Sequence, residues 1–162
     1  MTSIRKVIDA YQKFADFVYE LALIVCRLFY VVMVVMIFYA VIGRTFLQAS
    51  PAWANEVGVL AMVWICFLTA ALSIRDGTHI RMTLIEYVVP KKVAQILHFL
   101  VYVTLLWLSI LFVIYGWDTI ELTMLARMPA LQVPMAVTFS SVFVSGVLGI
   151  IMTISRLLRG GW

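Results

Sequence analysis

Few residues of this 162-residue chain could do chemistry, and most of the obvious ones lie in one stretch. Arg75-Asp76-Gly77-Thr78-His79-Ile80-Arg81 sets two guanidinium groups, a carboxylate and an imidazole between two long apolar runs. A bis-histidine haem would need His79, in a loop, and His98, near a helix start, to reach one porphyrin at depth. Cys26 and Cys66 lie in or beside apolar runs with no second cysteine close by, so disulfide, redox-pair and zinc readings lack their spacing. Ser145-Gly146-Val147-Leu148-Gly149 matches a nucleophile elbow only loosely and lacks the order that sets a serine on a sharp turn. With no nucleophile, acid–base pair or metal set, the chain is expected not to be an enzyme and to hold no cofactor or metal of its own.

The elements that carry these residues follow from composition. With 65% hydrophobic residues, 12% charged residues and a mean hydropathy of +1.08, an 18.4 kDa chain has more apolar surface than a soluble core of its size can bury. Uncharged windows run over Leu28–Gly43, Val57–Ile74, Val93–Trp117 and Met128–Ser155. A helix needs about 20 apolar residues to cross a hydrocarbon layer of about 30 Å, so each window predicts one span. The expected fold is an all-α integral membrane protein, with four transmembrane helices over about 25–47, 53–75, 92–117 and 133–155.

Sorting the 12 Lys and Arg by segment gives the expected orientation. Arg5, Lys6, Lys13 and Arg27 precede the first window, Arg75, Arg81, Lys91 and Lys92 separate the second from the third, and Arg156 and Arg159 follow the fourth. Only Arg44 and Arg127 fall on the other side, so the positive-inside rule places both termini in the cytoplasm. Basic charge confined to one face of a membrane protein meets anionic lipid, which argues against nucleic acid as a partner.

Residues 1–20 read as an amphipathic interfacial helix, with 21–159 as the membrane domain. Ile4, Val7, Ile8, Tyr11, Phe14, Ala15 and Val18 share one helical face, and Arg5, Lys6, Asp9, Gln12, Lys13 and Asp16 the other. A signal peptide cleaved at Ala52-Trp53-Ala54 is disfavoured, because that site lies far beyond the apolar run.

Polar residues punctuate the spans. Ser50-Pro51 is a cap followed by a first-turn proline, and Trp53 and Glu56 read as an interfacial aromatic and a helix-start charge. Gly77 suits a left-handed cap after Arg75. For His79, loop-structuring hydrogen bonds are preferred over partner contact and proton sensing. Gln95, His98, Tyr102 and Ser109 form a polar seam on the third span. Ser141, Ser145, Gly149 and Thr153, spaced by four, form a row of small residues that lets another helix approach, within the chain or from a partner. The connection from Asp118 to Val133 carries an apolar stripe of Ile120, Met124, Leu125 and Met128 that could dip onto the membrane or a partner.

A self-sufficient ion-coupled transporter places ionisable groups or broken half-helices at mid-depth. The four windows contain no Asp, Glu, Lys or Arg, so the chain reads as a helper of something larger.

The ordered set Arg44, Trp53, Glu56, Arg75, Gly77, His79 and Ile80 resembles the motif pattern of the small membrane subunit of tripartite ATP-independent periplasmic (TRAP) transporters. Asn55-Glu56 departs from the pair of acidic residues that the family often carries after the tryptophan. The resemblance implies a bacterial inner-membrane subunit acting as a static scaffold for a large, sodium-coupled, elevator-type subunit. It also implies a periplasmic protein that captures an organic acid or similar solute. It gives the polar stretch after the second span a role in holding the second and third spans in register. The alternatives are an anchor or assembly subunit of another bacterial membrane complex, such as a redox complex, and a small self-dimerising exporter.

Overall fold

In the computed structural model, residues 2–46, 52–76 and 91–158 are described, all but 2–7, 76, 91–95, 97 and 98 with their side chains. Ser50, Pro51, Gly77 and His79 lie outside the described residues, as do the side chains of Gln95 and His98. Four helices are long and apolar enough to cross a membrane: α1 (Thr2–Phe46), α2 (Ala52–Asp76), α3 (Lys91–Thr123) and α4 (Ala136–Leu158).

Two helices run beyond the spans read in the sequence. The stretch expected as a separate amphipathic helix and the first expected span form one uninterrupted 45-residue helix. No glycine or proline interrupts residues 2–42, so nothing in the backbone ends the helix between them. α3 continues past Trp117 to Thr123, where Trp117 Nε1–H donates to Glu121 at 2.8 Å across one turn. The connection between α3 and α4 is therefore shorter than expected.

The helices form a row rather than a closed bundle. α1 packs on α2, α2 on α4 and α4 on α3, with a slight additional contact between α1 and α4. The outer helices α1 and α3 are accordingly only 11% and 17% buried over their most apolar stretches, against 33% and 39% for the inner α2 and α4.

Close approach comes from small residues, because lipid supplies no hydrophobic drive between helices and packing must substitute for it. Ala15 and Ala22 of α1 and Ala54, Ala61 and Ala71 of α2 are buried. Between α3 and α4 the backbones nearly touch: a Cβ on Gly146 would lie 2.9 Å from both the Ser109 carbonyl oxygen and the Val113 nitrogen. A Cβ on Gly116 would lie 3.0 Å from the Phe143 nitrogen.

Contacts along the row fix its register. Arg75 lies over the Tyr19 ring at 4.2 Å, Phe29 stacks on Trp64 at 5.5 Å, and Tyr39 meets Trp53 at 5.5 Å. Each climb of ten residues along α1 is matched by a descent of eleven along α2, so the two run antiparallel. Gly146 against Ser109 and Gly116 against Phe143 set α3 antiparallel to α4 in the same way. Both ends of the chain therefore leave the same end of the row.

Candidate functional site

Polar side chains gather at two levels, near the ends of α2. At one end Arg75, whose side chain is 17% exposed, forms an ion pair with Asp16 of α1 and covers Tyr19. Arg156 of α4 donates through Nη1 to the Arg75 carbonyl oxygen at 3.2 Å and through Nε to the Tyr102 hydroxyl of α3 at 3.3 Å. Five residues before Asp16, the Tyr11 hydroxyl donates to the Ile151 carbonyl of α4 at 3.1 Å. All four helices meet in this joint. The last carbonyls of a helix have no partner within it, and Arg156 supplies one for α2.

The sequence anticipates Arg75 as a structural residue but not its partners. Asp16 is read there as part of a solvated face, Arg156 only as topology charge, and Tyr102 as part of a seam. The signal available was a carboxylate at the point where α1 turns from mixed to apolar, against an arginine closing α2. Of the stretch expected to hold the second and third spans in register, residues 77–81 lie outside the described residues, while Arg75 contacts α1 and α4 and Arg156 reaches α3.

At the other end Glu56 of α2 accepts the backbone N–H groups of Ala130 at 3.0 Å and Leu131 at 2.8 Å. These amides form the tip of a hairpin closed by Met128 N–H to the Val133 carbonyl at 2.9 Å and Met135 N–H to the Ala126 carbonyl at 2.8 Å. Gln132, at φ 56°, turns the chain through the left-handed region, which leaves consecutive N–H groups facing one way. A carboxylate is the side chain such a pair of donors selects. Glu56 is thus the clamp on the α3–α4 connection. Of the expected apolar stripe, Met128 is buried beneath the hairpin while Met124 and Leu125 point outward.

Asn55 is exposed and stands outside the clamp. Trp53 leans on Tyr39, and Arg44 ends α1 as an exposed residue. A cavity of about 260 Å³ opens beside the clamp between Glu56, Val59, Met128 and Phe139. Its wall includes Thr138, whose hydroxyl is buried without a hydrogen-bond partner.

The small-residue row packs inside the chain. Ser141, Ser145 and Thr153 are buried, and a Cβ on Gly149 would lie 2.5 Å from the Ser109 hydroxyl of α3 and 3.7 Å from Ile74 of α2. The row is the floor on which α2 and α3 both rest. The Ser109 hydroxyl donates to its own helix, at the Leu105 carbonyl, at 2.8 Å. Among the described residues no three His, Cys, Asp or Glu side chains come together.

This geometry holds the four helices in register. The chain is 22% identical over 144 residues, 89% of each chain, to a Haemophilus influenzae protein named as a TRAP transporter small permease protein. Residues 33–160 match the family described as "Tripartite ATP-independent periplasmic transporters, DctQ component", and that stretch contains the Glu56 clamp, Arg75 and Arg156. The chain belongs to the DctQ component family of tripartite ATP-independent periplasmic transporters.

Proposed function

We propose that this chain is the static small subunit of a sodium-coupled transporter for organic-acid-type solutes in a bacterial inner membrane. It widens the fixed scaffold against which a large elevator-type subunit moves, and a periplasmic binding protein delivers the solute to that complex. Solute and sodium belong to the other subunits, and this chain holds no cofactor. Both termini lie in the cytoplasm, with the amino-terminal part of α1 on the inner leaflet.

One observation carries this reading. A charged group near each end of α2 is engaged within the chain: Arg75 by Asp16, Glu56 by Ala130 and Leu131. Between those two levels, Arg27 apart, what remains outward is the apolar surface of a one-layer row, which suits flanking by a larger membrane protein. A rigid, laterally extended wall anchors a moving neighbour without contributing to its binding site.

Reconstitution tests it. Proteoliposomes holding the large subunit and binding protein should take up solute under an inward sodium gradient only when this chain is present. Equal uptake without the chain would remove the scaffold role.

A further inference from the structure

The helical register shifts one arginine. Arg27 precedes the first uncharged window in the sequence, yet α1 already contacts α2 at Ala15, Asp16 and Tyr19. Counting from Phe29 on Trp64, Arg27 stands level with Cys66, midway between Glu56 and Arg75. At 1.5 Å per residue that is about 15 Å from either polar joint, farther than an arginine side chain can snorkel. Arg27 is exposed, and among the described residues it has no ion-pair or hydrogen-bond partner. A guanidinium at mid-depth facing lipid is costly, so such residues face protein or water.

The face beside it has the pattern of a helix seam. Leu21, Ile24, Leu28, Val31, Val35 and Phe38 recur at steps of three and four, each 50% exposed or more, and lie opposite the buried Ala15 and Ala22. This is a heptad repeat in which Arg27 flanks the seam, as charged residues do when they select a partner. A second copy of the chain inserted the same way would set Val32 against Arg27 and Val25 against Glu20, because the flanking positions meet five residues apart. The seam therefore wants a different helix, one that brings its own acid.

We infer that the outer face of α1 is the docking seam for a transmembrane helix of the large membrane subunit, and that this helix presents a carboxylate to Arg27 at mid-depth. This rests on the proposed assembly with that subunit.

The test uses the intact complex in native membranes. A photo-crosslinking residue at Leu28 or Val35 is expected to capture the large subunit. Arg27→Leu and Arg27→Glu are expected to lower its recovery by at least roughly ten-fold, while Lys13→Glu, the same charge change near the start of α1, leaves recovery unchanged. Arg27→Leu guards against a variant that fails to insert, since leucine suits lipid and each variant is checked for an unchanged melting temperature of the free subunit. Cross-links from Leu28 and Val35 only to lipid or to a second copy would overturn the seam, even with the large subunit recovered in full. Wild-type recovery by Arg27→Leu would overturn the charge pair. Absence of the large subunit from the wild-type preparation would instead sink the assembly on which both depend.

Discussion

Arg156 of α4 donates a hydrogen bond to the backbone carbonyl of Arg75 on α2, so one arginine satisfies the helix end that carries another. Arg75 in turn reaches Asp16, and Arg156 reaches Tyr102. The two cations sit close because each has its own acceptor, and the joint ties together helices that in lipid have only packing to hold them.

Replacing Asp16 by Ala should therefore strip a mostly buried guanidinium of its counterion. Thermal melting of the subunit in detergent should show a loss of about 1–3 kcal/mol, the usual cost of a stranded hydrogen-bonded charge. Asp16→Ala made in an Arg75→Gln background should cost much less. Additive losses in that double-mutant cycle would mean the pair is not coupled.

At the opposite end, Glu56→Ala leaves the Ala130 and Leu131 N–H groups without their acceptor, whereas Glu56→Gln keeps one oxygen. Amide hydrogen exchange at 130 and 131 should accelerate in both variants, more for Ala than for Gln, with about 1–3 kcal/mol lost per stranded donor. Exchange at wild-type rates would show that the hairpin closes without the clamp.

Asn55→Asp restores the paired acid of the family pattern at an exposed position outside the clamp. Stability should change by less than about 0.5 kcal/mol, as for most surface substitutions. A larger gain in melting temperature would reveal a second acceptor role for this position.

The glycines of α4 should rank by what a new methyl meets. Gly146→Ala runs into backbone atoms of Ser109 and Val113, which cannot rotate away, while Gly149→Ala meets the Ser109 hydroxyl, which can. Melting should fall further for Gly146→Ala, by about 1–3 kcal/mol, the usual cost of overpacking. Gly149→Leu should disrupt the subunit more than Leu148→Ala does, within the isolated chain and without any partner present. Equal effects would show that the row is not a packing surface.

Much of this was legible in the residues. Hydropathy alone gave four helices, because lipid leaves the backbone few other ways to satisfy its polar groups. The four-residue spacing of Ser141, Ser145, Gly149 and Thr153 gave the packing face. It could not say which helices use it, since a small-residue row is the same whether the neighbour is inside or outside the chain. Glu56 reads as a helix-start charge because its donors are backbone amides 74 and 75 residues away, invisible to side-chain patterns. The sequence places the start of the first span at about 25 because Arg27 interrupts the uncharged window, whereas the helix that carries it runs unbroken from Thr2 to Phe46 and Arg27 stands level with the middle of α2.

The most direct measurement is capture of the tagged chain from its native membrane in mild detergent, followed by identification and quantification of what comes with it. A large membrane subunit present in stoichiometric amount is the expected result. Recovery of the chain alone, or as an assembly of copies of itself, would contradict the scaffold role.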